Sequence, residues 1–280
     1  MRDLLDQFAC QRAPGGLRLW TADTFQVSAR VQEILRTLYR PSGPDVETLK
    51  LSERRSVLRI SPFSRELPSL IVKGFPLRKF ESRWKYAKYG LTEFCHYRSA
   101  VERRIPVPRC YGYFEVRAFG LVNANGVLIE DLRGWRSLAE LANDDPQRSL
   151  AVLVRAVPLL KQLYEAGVNH IDASPQNILE SPDRTEQRLI DWQYASFIAP
   201  RQIAQLVLQA VHFLAYSNLT ANSPDGKVWL KELHAACHPP VGFERFTWAV
   251  TNLQERGKIS GSDRLALRLD QFTEQQLQQA

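Results

Sequence analysis

The feature that most restricts the fold is the polar segment HIDASPQN at residues 170–177, an H-x-D-x-x-x-x-N array that follows a predicted helix. Asp191 comes fourteen residues after Asn177, in the sequence Ile-Asp-Trp. Between them, NILE and RLIDW are predicted to form a short hairpin around SPDR. The pattern therefore predicts that a loop carrying Asp172 lies beside a hairpin that carries Asn177 and Asp191.

These residue types suit phosphoryl transfer, in which catalysis consists mostly of positioning the acceptor oxygen and neutralising charge on the phosphoryl group. We interpret Asp172 as the base that orients an acceptor hydroxyl, and Asn177 and Asp191 as oxygen ligands of Mg²⁺. His170 is expected to be a scaffold residue. The competing explanation is that His170, Asp172 and Asn177 are turn-forming residues that fall at this spacing by chance.

Two residues earlier in the chain fit the same chemistry. Lys73 lies in IVKGF, on the last predicted strand before a helix, where it can point at the α- and β-phosphates of ATP. Glu93 lies on that helix and shares a face with Tyr97 and Ala100, so it can turn inward and pair with Lys73. The alternatives are a solvent-facing lysine on an edge strand and a surface glutamate.

The periodicity of the chain indicates three parts. Residues 1–45 are predicted to be an N-terminal appendage with one amphipathic helix, because apolar residues recur at helical spacing. Residues 46–132 are predicted to form a small sheet with one helix, and residues 133–280 are mainly helical. The helical stripe of the appendage comprises Val27, Val31, Ile34, Leu35 and Leu38.

Within the second part, SVLRIS and SLIVKGF are short strands separated by the loop SPFSREL. A helix is predicted over RWKYAKYGLTEFCHYRSAVERR, bent at Gly90, followed by the IPVPR element and two strands around YGYFEV and GVLIEDL that flank a turn at NANG. In the third part, one long helical face runs from Leu150 to Tyr164 and ends at Gly167, a suitable C-cap.

Composition limits the partners and the compartment. The formal net charge of +7 favours anionic partners such as nucleotides, phosphorylated sugars or acidic lipids, although a solvated basic surface would give the same balance. The four cysteines are scattered, with no C-x-x-C pair, so neither a disulfide framework nor a zinc finger is expected, and a reducing cytoplasm fits. We expect no secretion signal and no membrane span.

The order of these elements resembles the protein-kinase-like superfamily over residues 50–230. The segments TEFCHYRSAVERRIPVPRCYGY and GVNHIDASPQNIL are most similar to bacterial lipopolysaccharide core kinases, which phosphorylate Kdo or heptose, whereas IDWQYA is similar to aminoglycoside and choline kinases. The resemblance implies an α+β, bilobal protein-kinase-like fold with a small antiparallel sheet lobe and a larger helical lobe. It also implies that ATP and Mg²⁺ are bound, with Lys73 and Glu93 at the phosphates and the backbone of Glu130 to Leu132 near adenine.

Two departures from the superfamily pattern are visible. SPFSREL stands where a G-x-G-x-x-G loop would cover the phosphates. Asp191 is followed by Trp192 and Gln193 rather than by Phe-Gly, which argues against a switchable eukaryotic-type protein kinase because the glycine that permits the segment to flip is missing.

Three functions are compatible with this reading. The favoured one is a kinase for a sugar hydroxyl of lipopolysaccharide core or a similar anionic glycolipid, cytoplasmic and peripheral at the cytoplasmic face of the inner membrane. The alternatives are a soluble kinase for an aminoglycoside, choline or a related small molecule, and a non-catalytic pseudokinase. No nucleic-acid partner is expected, because the basic residues form no recognition motif.

The segment FPLRKFESRWKYAKYG favours the glycolipid acceptor, because cations can meet phosphates while aromatic rings lie at a membrane interface. The alternative is a solvated helix face whose aromatic residues pack inward. The residues concerned are Arg78, Lys79, Arg83, Lys85 and Lys88 with Phe80, Trp84 and Tyr86.

Overall fold

The computed structural model describes residues 5, 8–21, 27–38, 40–62, 69–257 and 259–267. The chain divides into two compact units. The first unit comprises Met1–Arg98 and Pro108–Arg133, and the second comprises Ser99–Val107 and Gly134–Ala280. Residues 63–68, which include most of the SPFSREL loop, and the glutamine-rich end at 268–280 lie outside the described residues.

The first unit is built on a seven-stranded antiparallel sheet in the order β1-β2-β6-β7-β5-β4-β3. The expected strands at SVLRIS, SLIVKGF, YGYFEV and GVLIEDL are all present. The sheet is larger than the small sheet that was predicted. Its strands are β1 (Ala9–Ala13), β2 (Leu17–Thr21), β3 (Val46–Leu51), β4 (Ser56–Ile60), β5 (Leu70–Pro76), β6 (Cys110–Ala118) and β7 (Leu121–Ile129).

The prediction that residues 1–45 form an appendage is wrong for the part that the structure describes. Strands β1 and β2 form a hairpin whose second strand pairs with β6, and α1 (Ala29–Arg36) packs its apolar stripe on one face of the sheet. The predicted helix is therefore correct, but its stripe is part of the core of the first unit. The two strands were missed because β1 contains no buried residue and β2 is only five residues long, with two buried leucines.

The single helix predicted over residues 83–104 is two helices, α2 (Phe80–Lys85) and α3 (Tyr89–Glu102). The helix is interrupted at Tyr86–Lys88 because the side chain of Asn125 forms hydrogen bonds with the backbone of this segment. Its Nδ2 donates to the carbonyls of Tyr86 and Ala87, both at 3.2 Å, and its Oδ1 accepts from Gly90 N at 2.7 Å. The bend expected at Gly90 is thus an interruption a few residues earlier.

The turn predicted at NANG is also wrong, since Asn123 to Gly126 lie inside β7. The turn between β6 and β7 is instead Phe119–Gly120, where both residues adopt positive φ angles of 50° and 77°, as a two-residue hairpin loop requires. The Asn-Gly pair has another use in the strand. A Cβ at Gly126 would lie 2.3 Å from the carbonyl oxygen of Lys73, so the missing side chain permits close packing.

The second unit is mainly helical. The long helix predicted through Leu150–Tyr164 is divided at Arg155 and Ala156, because Pro158 lacks an N–H and its ring would clash with the carbonyl four residues earlier. The predicted C-cap is confirmed, since Gly167 is left-handed with φ of 62°. The helices are α4 (Leu138–Asp144), α5 (Ser149–Val154), α6 (Val157–Ala166), α7 (Ile203–Tyr216), α8 (Pro224–Cys237), α9 (Phe243–Glu255) and α10 (Gly261–Leu265), with a 3₁₀ turn at Pro146–Arg148.

Short strands support the polar loop of the second unit. The predicted hairpin of NILE and RLIDW is confirmed as β10 (Ile178–Glu180) paired with β11 (Gln187–Leu189), and β8 (Arg136–Ser137) joins β10 on its other side. Strand β9 (Val168–His170) pairs with β12 (Ala195–Phe197). Residues 171–177 and 190–194 are therefore held as two neighbouring loops between paired strands.

Candidate active site

In the first unit, Lys73 and Glu93 meet as the sequence predicted. Lys73 Nζ lies 2.6 Å from Glu93 Oε1, and the two residues are 5% and 0% exposed. Strand β5 lies between β4 and β7, so Lys73 is on an inner strand, not an edge strand. Because both residues are buried on this inner strand and on α3, the alternatives of an edge lysine and a surface glutamate do not apply.

The segment predicted to lie near adenine follows the end of β7. Glu130 N donates to the carbonyl of Arg109 at 2.8 Å, and Glu130 Oε2 accepts from Arg109 N at 2.9 Å. The next residue, Asp131, accepts two hydrogen bonds from Arg59 Nε, at 2.9 and 3.0 Å. Leu132 is partly buried. These contacts hold the backbone of Glu130 to Leu132 in place, and its role toward adenine stays a prediction.

In the second unit, the backbone and one amide fix the loop that carries Asp172. Asn177 Nδ2 donates to the carbonyl of Asp172 at 2.9 Å, and Ser174 N donates to the same carbonyl at 2.8 Å. Ile190 N donates to the carbonyl of Asn177 at 3.0 Å, which continues the β10–β11 register toward Asp191. The structure therefore places Asp172, Asn177 and Asp191 on adjoining loops of one unit.

Asp191 has a left-handed backbone with φ of 64°, a conformation that aspartate adopts more readily than most residues other than glycine. The following residue, Trp192, is fully buried, and its Nε1 donates to the carbonyl of Leu189 at 2.8 Å. The ring of His170 packs edge-on against Trp192 with centroids 4.7 Å apart, and His170 is 4% exposed. This buried packing agrees with a scaffold role for His170 and anchors the segment after Asp191.

Two residues that the sequence reading missed lie beside Asp172. Arg264 Nη1, on α10, donates to the carbonyl of Ile171 and to Nδ1 of His212, both at 2.6 Å, and lies 3.6 Å from Asp172 Oδ1. His212 Nε2, on α7, lies 3.7 Å from the same carboxylate oxygen. Because arginine can only donate, Nδ1 of His212 is the acceptor and Nε2 carries the hydrogen.

The charge beside Asp172 therefore comes from Arg264 and not from the histidine. Burial, then the neighbouring charges of Arg264 and His170, lower the pKa of His212 from 6.5 to about 3. His212 is thus neutral at physiological pH and serves as an acceptor that orients Arg264. No local motif marks either residue, since Arg264 lies more than ninety positions from Asp172 and approaches it only through the tertiary fold.

The donor set in the second unit suits a hard cation. Asn177 uses its amide N–H group within the loop, which leaves an amide oxygen to act beside the carboxylate of Asp191. The described residues contain no cluster of three or more His, Cys, Asp and Glu side chains that could hold a metal ion. Two protein oxygens completed by phosphate oxygens and water are a typical arrangement for Mg²⁺, so the residues fit that ion.

Comparison with protein families identifies a related group. Residues 86–218 match the model of the Lipopolysaccharide kinase (Kdo/WaaP) family. The matched range is somewhat less than half of the chain, and it contains Glu93, Asp172, Asn177 and Asp191. The predicted resemblance to lipopolysaccharide core kinases is therefore confirmed. No curated protein sequence matches the chain.

Comparison with solved structures agrees with the family match. The structure of WaaP in complex with acyl carrier protein is similar with a TM-score of 0.55 and 14% sequence identity, covering 83% of this chain and 91% of that chain. At this identity the similarity shows a shared fold. The fold is thus the expected α+β, kinase-like one, with an antiparallel sheet and a larger helical part.

Proposed function

We propose that the protein transfers the γ-phosphoryl group of ATP to a sugar hydroxyl of lipopolysaccharide core, on Kdo or heptose. The observation that carries this proposal is the arrangement of Asp172, Asn177 and Asp191 on adjoining loops within the segment that matches the family of lipopolysaccharide kinases. The kinase-like fold supports the same conclusion. A turn-forming coincidence would not explain why the three polar residues converge.

Each residue of the proposed site has a distinct task. Asp172 accepts a hydrogen bond from the acceptor hydroxyl and takes its proton as the oxygen attacks the γ-phosphorus. Asn177 and Asp191 would hold Mg²⁺, which when bound supplies charge neutralisation on the phosphates. Lys73, held by Glu93, binds the α- and β-phosphates through its ammonium group. A binding-only pseudokinase would not need this full set.

Arg264 is the proposed positioning residue for the base. Its guanidinium lies within 3.6 Å of Asp172 Oδ1 and is fixed by Ile171 O and His212. A guanidinium fixed at this distance attracts the carboxylate of Asp172 and holds it in one orientation. His212 contributes by orienting Arg264.

The segment FPLRKFESRWKYAKYG, called the basic segment from here on, provides a surface for a membrane-bound acceptor. Phe80 and Trp84 are 70% and 85% exposed, so the alternative in which these two rings pack inward does not hold. Arg78, Lys79 and Lys85 are exposed around them. The turn between β6 and β7 adds Phe119, which is fully exposed at the end of the sheet where β5 leads into α2. Together these residues support contact with an anionic bilayer surface.

We place the protein at the cytoplasmic face of the inner membrane, where ATP and newly made core glycolipid meet. None of the helices in the described residues is long and apolar enough to cross a membrane. In this proposal the basic surface contacts the membrane peripherally, and each cation near an acidic surface contributes about 1 kcal/mol at low salt.

An acceptor panel tests the proposal. The purified protein is incubated with [γ-³²P]ATP and Mg²⁺ and with dephosphorylated Kdo- and heptose-containing core glycolipids, aminoglycosides and choline. We expect label only in a core glycolipid, on a sugar hydroxyl. Label in an aminoglycoside or in choline would replace the glycolipid assignment with the small-molecule alternative. An absence of label in every acceptor, with MgATP still bound, would favour the pseudokinase.

A further inference from the structure

A cavity of about 640 Å³ lies in the first unit, between β2, β6, β7 and the start of α3. It lies on the face of the sheet that α3 covers, opposite the face on which α1 packs. Its wall includes Trp20 and Tyr113, which are cross-strand partners, and Tyr113 is in turn the partner of Val127, which faces Lys73. Tyr113 therefore lies two strands from Lys73, about 10 Å across the sheet, and Lys73 does not line the cavity.

The polar part of the wall is positively charged. Of the wall residues that the structure describes, Arg18, Lys88 and Arg117 are cationic and Glu115 is the single carboxylate. Glu115 is 6% exposed, and it accepts from Arg117 Nε at 2.8 Å and lies 3.8 Å from Arg18 Nη1. Among the described residues, the Lys88 ammonium has no ionic partner. Within the described part of the wall, three cations against one carboxylate leave an excess of two positive charges for an anionic group.

Tyr113 does not offset this charge. Its hydroxyl group lies 3.4 Å from Glu115 Oε2, and burial, followed by the charge of Glu115, raises the pKa of Tyr113 far above its usual range. The phenol thus stays neutral and donates toward the carboxylate. Tyr113 therefore adds no negative charge to the wall.

The remaining described residues of the wall present apolar and aromatic surface. The ring of Trp20 is partly exposed and stacks on Tyr113, with centroids 5.4 Å apart and an angle of 29° between the planes. Leu91, Val122 and Ala87 extend this surface. An inorganic anion would leave these groups exposed to water, and an uncharged apolar molecule would leave the cations unmatched. The volume is within the range of small-molecule sites in proteins.

We propose that this cavity binds an amphipathic organic anion, with the anionic group at Lys88 and Arg18 and the apolar body against Trp20, Leu91 and Val122. Neither Lys73 nor Glu93 lines the cavity, and Lys88 is the one cation that it shares with the segment proposed to contact the membrane. Its occupant contacts Lys88 and Leu91 at the beginning of α3, the helix that carries Glu93. The apolar body can be an alkyl chain or an aromatic ring system, and the two are distinguished by experiment.

Binding to the full chain is measured by isothermal titration calorimetry, without ATP or acceptor, so the result does not depend on the proposed function. Decyl phosphate below its micelle concentration and naphthalene-1-sulfonate are the two probes, with inorganic phosphate and decanol as controls. We expect one of the two probes to bind at one molecule per chain and the controls to bind far more weakly. Equal binding of decanol, or no saturable binding of either probe, would overturn the proposal.

Two variants locate the site. Lys88→Gln should weaken binding about tenfold, as expected for a lost charge-assisted contact. Lys85→Gln, a control in the same basic segment that does not line the cavity, should leave binding unchanged. Val122→Trp should abolish binding by filling the cavity, with thermal unfolding monitored to establish that the variant is folded. Equal weakening by both lysine changes would contradict the proposal, because it would indicate non-specific attraction to the basic surface.

Discussion

Removing the charge of Lys73 should destabilise the first unit as well as stop catalysis. In Lys73→Met the side chain keeps its length, but Glu93, which is fully buried, loses the ammonium group 2.6 Å from its Oε1. Breaking a buried ion pair by removing one partner costs about 3 to 5 kcal/mol, because the remaining charge has to stay desolvated or take up a proton. We expect a loss of about 3 kcal/mol in the free energy of unfolding.

The double variant Lys73→Met with Glu93→Gln separates the two effects. Glutamine leaves no buried charge, so the free energy of unfolding should recover most of the loss, to within about 1 to 2 kcal/mol of the wild type. Phosphoryl transfer should not recover, because the cation that binds the phosphates is still absent. In Glu93→Gln alone the ammonium group of Lys73 is still present but is held less firmly. This variant should therefore lower kcat/KM less than Lys73→Met does.

Urea unfolding followed by circular dichroism measures the stability of the four proteins, and labelled ATP measures transfer. The reasoning would be refuted if Lys73→Met unfolded within 0.5 kcal/mol of the wild type, about the uncertainty expected for independent sites. It would equally be refuted if the double variant were less stable than Lys73→Met, since relieving the buried charge could then not be the cause.

Four further outcomes follow from the second unit. Asp172→Asn should leave MgATP binding near the wild-type value in calorimetry while transfer is lost, because an amide cannot accept the hydroxyl proton. Asp191→Asn should weaken Mg²⁺-dependent nucleotide binding in the same titration, and unchanged affinity would remove Asp191 from the metal site. Arg264→Gln should lower kcat more than it raises the KM for ATP, with Arg264→Lys restoring part of the rate; a change confined to KM would argue against positioning of Asp172. His212→Asn should make the free energy of unfolding less dependent on pH between pH 6.5 and about 3.

The sign of the His212 effect follows from its lowered pKa. Below pH 6.5 the unfolded chain binds a proton at His212, whereas the folded protein does not until the pH approaches 3. Wild-type stability therefore falls as the pH decreases through this range, by about 2 kcal/mol between pH 6.5 and 5 for this group alone. Denaturant unfolding at several pH values measures the difference between wild type and variant, and parallel curves would contradict the assignment of a neutral, buried His212.

The proposed membrane contact is tested with one further variant. Neutralising Arg78, Lys79, Arg83, Lys85 and Lys88 together should weaken sedimentation with anionic vesicles and raise the KM for a glycolipid acceptor, with little change in ATP kinetics. Wild-type protein should be released from vesicles as salt rises. If the wild-type protein did not sediment with anionic vesicles even at low salt, membrane contact through this segment would be excluded.

The parts of the site that could be predicted are those for which a short stretch of sequence indicates the local structure. The loop of Asp172 and Asn177 lies between a helix that Gly167 ends and a short hairpin, and each of these has a local signature. The pairing of Lys73 with Glu93 was predictable because it joins a strand to the next helix, where the periodicity places both side chains.

Other features depended on tertiary contacts that no local pattern shows. Asn125 and Gly126 have the composition of a turn, but Asn125 anchors the start of α3 and Gly126 allows close packing in β7. The hairpin of β1 and β2 became part of the sheet because β6 offers an unpaired edge, which periodicity cannot indicate. Arg264 reaches Asp172 from the far end of the chain.

The measurement that tests the central claim most directly is phosphate incorporation into a dephosphorylated lipopolysaccharide core acceptor, followed by mass spectrometry and location of the phosphate by fragmentation. With wild-type protein and MgATP we expect one added phosphate per acceptor, on a Kdo or heptose hydroxyl, and with Asp172→Asn we expect none although MgATP is still bound. Equal incorporation by the wild type and Asp172→Asn would contradict the assigned base. An unmodified core acceptor alongside a phosphorylated small molecule would contradict the proposed function itself.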